Sequence, residues 1–239
     1  MGVLPDQVLI TLPDGRLDLD RAAAAIKPAD HHFADTRLLC LENTHDGKVL
    51  PLSHHAEAAE LAAAHSLGLH LDGARLWNAA VALGVAPAVV AEPFDTVSVC
   101  LSKGLGAPVG SVLVGPPDLI ERARKWRKML GGGMRQSGVL AAAGLYALAN
   151  NIDRLADDHA NAARLVEGLG ALDGVEVVGQ QTNMAFVRFP DGVALAAAVA
   201  DDGLLMAQGR PVTRFVTHLD VSADDIETTI EIIAKHLAA

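Results

Sequence analysis

Two short apolar runs that each stop at a charged residue constrain the fold more than any other feature of this chain. Residues 67–71 end at Asp72-Gly73, and residues 96–101 end at Ser102-Lys103, followed by a turn rich in glycine at 104, 106 and 110. An apolar run of that length, bounded by turn residues, reads as a buried strand. The stretch between them, from Ala74 to Leu83, is alanine-rich and free of breakers, and reads as a helix. Strand, helix, strand in this order points to a parallel pair with a helical crossover.

The same alternation extends to about residue 115. Residues 37–42 are a predicted strand, 56–65 an amphipathic helix, and 111–114 a short hairpin return. Pro116-Pro117 opens a helix carrying Arg122, Arg124, Lys125, Arg127 and Lys128, and Arg135 extends this basic patch. A longer helical region spans 136–169, with a break near Asn150-Asn151. After Gly170 the pattern changes to strands at 175–178, 183–189 and 212–219, with a helix at 193–200. Ser222-Ala-Asp-Asp225 resembles a capping box, and Ile226, Ile230, Ile233 and Leu237 form one stripe at helical spacing. The expected fold is α/β: a large domain over 1–150 and a small α+β domain over 151–239.

Asp72 and Lys103 carry the chemistry. In open α/β sheets, ligands bind in the crevice beyond the carboxyl ends of the strands. A lysine at a strand mouth is expected to be desolvated, which favours the neutral amine, and a neutral amine condenses with an aldehyde to a Schiff base. Pyridoxal phosphate needs such a lysine for its aldehyde and a carboxylate for its pyridine nitrogen. The alternatives are a surface lysine after a strand and an aspartate capping the helix near Ala74. Neither a P-loop nor a dinucleotide fingerprint fits, because the lysine precedes its glycines and the third glycine is missing. Of the ten histidines, the pairs His31-His32 and His54-His55 are adjacent and should point apart, so no metal site is expected.

Several motifs then resemble one family. They are His70-Leu-Asp-Gly-Ala-Arg-Leu-Trp-Asn78, residues 98–111 around Lys103, residues 126–137 around Gly131-Gly-Gly133, Leu41-Glu-Asn-Thr-His45 and residues 214–221. In order, and over nearly the whole chain, they are similar to the low-specificity L-threonine aldolases, pyridoxal-phosphate enzymes of the aspartate-aminotransferase fold type. The resemblance implies that Lys103 and Asp72 bind the cofactor. Arg75 and Arg214 would bind the substrate carboxylate, and His45 would lie near the β-hydroxyl. Lys128 and Arg135 would reach the cofactor phosphate, across a subunit interface. For Arg214, a place in a β-branched strand adds a reason to expect an anionic partner, since an unpaired buried charge is costly. The implied reaction cleaves a β-hydroxy-α-amino acid, threonine or allo-threonine, to glycine and an aldehyde. β-Elimination, transamination or a non-catalytic homologue are the rival readings. Family members carry a further N-terminal segment, with a phosphate-binding turn and a ring-stacking histidine, without a counterpart here. The chain is therefore expected to begin inside the large domain at Met1 to Leu4, and to bind the cofactor weakly and turn over little when expressed alone.

Composition narrows the partners. With 29 acidic and 19 basic residues among 239, the net charge of −10 disfavours nucleic acid. No run is long enough for a membrane span, and no signal-peptide pattern opens the chain. Cys40 and Cys100 fall in predicted buried strands and are expected to be reduced core thiols of a cytoplasmic protein. A homo-oligomer, dimer or tetramer, is expected from the resemblance.

Overall fold

The computed structural model describes residues 12–207 and 211–238. The expected start at Met1 to Leu4 lies outside the described residues. Strands β1 (Leu38–Glu42), β2 (Gly68–Gly73), β3 (Thr96–Cys100) and β4 (Ser111–Val114) form one sheet in that order. The first three are parallel, with Glu42 beside Asp72 and Asp72 beside Ser98; β4 returns antiparallel, Ser111 opposite Cys100. Helices α1 (Leu19–Ala25), α2 (Leu52–Ala64), α3 (Leu76–Leu83) and α4 (Pro87–Ala91) precede and connect the parallel strands.

Side chains alternate across a strand, so one face of this sheet is apolar and the other polar. Leu41, Leu69, Leu71, Val97 and Val99 are buried with Ala58 and Ala62 of α2, Leu76 and Ala80 of α3, and Val90 and Phe94. Complete burial of a leucine such as Leu71, 0% exposed, stabilises the fold by about 1.5–3 kcal/mol. Cys40, Glu42, His70, Asp72, Ser98 and Cys100 take the opposite face and are exposed or half-buried. The two cysteines are therefore not core thiols: both are free, Cys40 is exposed and Cys100 half-buried. The expectation assumed apolar packing on both faces, whereas their positions alternate with Leu39, Leu41, Val97 and Val99.

Short helices escaped the sequence reading. α1 spans only seven residues, held at its start by Asp18 accepting from the Arg21 N–H, and α4 only five, beginning at Pro87. Neither is long enough to display a period. α2 begins at Leu52, ahead of the expected 56, because His54 and His55 occupy buried positions that an apolar pattern misses.

The chain continues through α5 (Pro117–Met129), α6 (Gly138–Asn150) and α7 (Leu155–Gly170) into β5 (Glu176–Gln181), β6 (Met184–Arg188), α8 (Gly192–Ala200), β7 (Thr213–Val216) and α9 (Ala223–Leu237). β5, β6 and β7 make a second, antiparallel sheet in that order. Leu165, Leu169, Val187, Leu195, Val199, Ile226 and Ile233 form its core, so the predicted α9 stripe faces inward. The capping box is present: Ser222 Oγ accepts from the Asp225 N–H at 3.1 Å, and Asp225 accepts from the Ser222 N–H at 2.8 Å. β7 ends at Val216, short of 219, and Thr217 extends the pairing by one residue. Its hydroxyl donates to the Asp158 carbonyl at 2.6 Å, and its N–H to the Asn183 carbonyl at 3.0 Å. α5 is different from every other long helix, since none of its residues is buried.

Candidate active site

The carboxyl ends of β1, β2 and β3 bring His45, Asp72, Arg75 and Lys103 to one edge of the parallel sheet. After β1, a tight loop carries His45. Asn43, 0% exposed, binds both backbone groups of Leu50, accepting from its N–H at 3.1 Å and donating to its carbonyl at 3.3 Å. His45 and Lys48 exchange backbone hydrogen bonds at 2.9 Å. Glu42 Oε2 lies 2.9 Å from His45 Nδ1, which fixes the ring. In neutral His45 the Nδ1–H donates to Glu42 and leaves Nε2 as an acceptor.

After β2, Asp72 Oδ1 accepts from the Ala74 N–H at 3.0 Å. That bond closes a local turn; the N-cap of α3 is Arg75. Asp72 is exposed, and its Oδ2 carries no hydrogen bond among the described residues. Arg75 is half-buried, and Arg214 of β7 is close enough for the two guanidinium charges to repel. Burial first, and Arg214 second, hold Arg75 below its ordinary pKa, while Glu42, Cys100 and Asp46 pull the other way. Neither arginine makes an ion pair among the described residues, so the two adjacent positive charges could receive an anion. Arg214 itself is exposed on its strand, which removes the desolvation argument for it and leaves its proximity to Arg75.

After β3, Lys103 stands exposed, its side-chain amine without a hydrogen bond or ion pair among the described residues. The desolvation expected at a strand mouth is therefore not provided here. Its neighbour Cys100 is pushed up by burial, but hydrogen bonds from Ser102 and Ser111 and the Lys103 charge bring the thiol below its ordinary value overall. Trp77 Nε1 donates to the Cys100 carbonyl at 3.2 Å and ties α3 to this strand end.

Comparison with known proteins adds an independent line. Residues 2–191 match the beta-eliminating lyase family. The low specificity L-threonine aldolase of Escherichia coli (strain K12) is 50% identical over 229 residues, covering 95% of this chain and 68% of the relative. The chain belongs to the beta-eliminating lyase family. Low-specificity L-threonine aldolase 1 of Arabidopsis thaliana is 44% identical over 230 residues, 91% of this chain and 64% of that relative. The chain thus spans about two thirds of the length of these relatives. The solved threonine aldolase of Leishmania major shares the fold, with TM-score 0.78 at 23% identity over 95% of this chain and 69% of that one.

For a beta-eliminating lyase, the donor set at the sheet edge fits pyridoxal phosphate in two respects. An unpaired primary amine is available at Lys103, and a carboxylate already anchored through one oxygen offers its other oxygen at Asp72. Lys128 and Arg135 are not part of this cluster: both are exposed, and neither bonds to Asp72, Lys103, Arg75 or Arg214 among the described residues. Lys128 folds back over Gly133 instead. Glu42 and Asn43 join the predicted residues by holding the loop of His45. A carboxylate at a strand end, three residues before a histidine, was the available signal for Glu42; the Asn43 contacts need the loop to be folded. Asp30, His31 and His32 have ligand atoms within 4.8 Å of one another, all exposed, so the adjacent rings do not point apart as expected. Among the described residues, no helix is long and apolar enough to cross a membrane.

Proposed function

We propose that this chain is a pyridoxal-phosphate-dependent aldolase that cleaves threonine or allo-threonine, and related β-hydroxy-α-amino acids, to glycine and an aldehyde. One observation carries the reading: a free amine at Lys103 and a half-anchored carboxylate at Asp72 follow the neighbouring strands β3 and β2, and Arg75, just after β2, lies near Arg214 of β7. Pyridoxal phosphate, when bound, supplies an electron-withdrawing ring that stabilises the negative charge left at the substrate Cα. Lys103 would hold the group through its amine, and Asp72 would face its ring nitrogen with the carboxylate oxygen left free by Ala74. Arg75 and Arg214 would hold the substrate carboxylate and so fix the orientation of the Cα–Cβ bond. His45, oriented by Glu42, accepts the β-hydroxyl proton at Nε2 as that bond breaks and the aldehyde leaves. A proton returned to Cα completes glycine.

In this reading residues 1–150 form the cofactor-binding part and 151–239 the small part. Lys128 and Arg135 bind the cofactor phosphate from a second copy of the chain, in a homo-oligomer. The exposure of Trp126, Met129, Leu130, Met134 and Tyr146 around α5 and α6 supports such an interface. Two free thiols agree with a cytoplasmic setting. The test is product analysis: cofactor-loaded protein given L-threonine should release acetaldehyde and glycine. Release of ammonia and a keto acid would replace the aldolase by an elimination or transamination enzyme. Borohydride reduction and peptide mapping should place the pyridoxyl group on Lys103; an adduct mainly on Lys125 or Lys128 would move the anchor.

A further inference from the structure

Leu101 fixes the base of the Lys103 loop, donating to the Gly110 carbonyl at 2.9 Å and accepting from the Ala107 N–H at 3.0 Å, and one peptide plane inside the loop carries two further bonds. Gly106 donates its N–H to the Lys103 carbonyl at 2.9 Å and closes a turn over residues 103–106. The other end of that peptide unit is the Leu105 carbonyl, which accepts from Asn151 Nδ2 at 2.7 Å. Rotating the Leu105–Gly106 peptide would break both bonds at once. Leu105 resists rotation as well, since its side chain is 1% exposed and packs with Ala147 and Leu155. Asn151 is itself fixed as the C-cap of α6, its N–H donating to the Ala147 carbonyl at 2.9 Å. Two hydrophobic contacts complete the clamp. Leu155 of α7 closes against Gly104, and Leu219, in the loop after β7, closes against Gly106, whose φ of +72° also suits glycine.

We propose that Asn151 is a positioning residue for Lys103, acting through the Leu105–Gly106 peptide. Leu219 braces the same peptide from the loop that follows the Arg214 strand, so the residues that bind carboxylate and those that aim the amine share one mechanical support. The inference rests on Lys103 being the cofactor-anchoring amine, and Asn151 touches neither substrate nor cofactor. Asn151→Asp keeps the shape but sets a carboxylate oxygen against the Leu105 carbonyl, and Asn151→Ala removes the donor.

The experiment loads the full chain and each variant with pyridoxal phosphate, then follows three readouts. They are the rate of borohydride trapping at Lys103 by peptide mapping, the pH at which the visible band shifts, and steady-state kinetics on L-threonine. Both Asn151 variants should slow trapping and lower kcat by about fivefold or more, displace the spectral transition, and leave KM within about twofold, because the arginines are untouched. A lowered melting temperature with parent-like trapping, band and kcat would overturn the proposal and leave Asn151 a merely structural residue. Leu219→Ala, which loosens the opposite side of the peptide, keeps the test open if neither Asn151 variant folds; parent-like trapping and spectrum in it would count against the clamp. Absence of any Lys103 adduct in the parent chain would instead remove Lys103 as the anchor, and this proposal with it.

Discussion

Acid should loosen this fold through His55. The ring is 0% exposed, meets Phe94 edge-on at 5.0 Å between centroids, and lies with Nε2 3.1 Å from the Asn43 amide. Burial first, and the neighbouring His54 second, lower its pKa from 6.5 to about 4. The folded state therefore refuses a proton that the unfolded chain accepts. Its contribution is intact above pH 6.5 and is lost as the pH falls from there towards 4. Linkage between those two values gives a loss of about 2 kcal/mol on going from roughly pH 7 to pH 5. Urea unfolding at the two pH values measures it directly. His55→Gln keeps an acceptor for Asn43 but cannot titrate, so its stability should fall by about 2 kcal/mol less over the same interval, although it starts lower. The same pH dependence in parent and variant, or a His55 resonance titrating near 6.5, would contradict the assignment. Because Asn43 also holds the loop carrying His45, protonation of His55 should weaken the site before the whole chain unfolds.

Other substitutions separate the roles at the sheet edge. Arg75→Lys keeps the charge but loses the planar fork, and catalytic efficiency on threonine should drop by about 2 kcal/mol or more; unchanged kinetics would make Arg75 a simple surface charge. His45→Ala should lower turnover and blur discrimination between threonine and its allo diastereomer, whereas equal relative losses on both would exclude contact with the hydroxyl. Glu42→Gln should lower kcat with less effect on KM, since the ring keeps a hydrogen-bond acceptor but loses the carboxylate that stabilises a protonated imidazole; a purely KM effect would place Glu42 with the carboxylate-binding arginines. Gly106→Ala, at φ +72°, and Gly84→Ala, at φ +65°, should each cost about 1–2 kcal/mol in urea unfolding, because the Leu219 Cδ2 that a Cβ at 106 would meet ends a half-exposed side chain that can turn aside. A markedly larger cost at Gly106 would show that Leu219 is held rigidly against it.

The parallel sheet, its antiparallel return, the α9 stripe and the positions of Asp72, Arg75 and Lys103 were legible in the order of residues. Each is a local pattern, written as apolar periodicity, a capping sequence or a charged residue closing a strand. The family resemblance was legible for the same reason, because its motifs are contiguous. Burial was not local. Cys40 and Cys100 lie in apolar runs, yet strand alternation and the packing of helices on one face put them on the other. Lys103 follows a buried strand, yet its amine stands exposed, since desolvation depends on what covers a strand end. Asn151 lies far along the chain from Leu105, and Glu42 gains its meaning only when the loop of Asn43 folds His45 back onto it. Contacts between residues distant in sequence arise from the packing of whole elements, and that packing is where the support of this site resides.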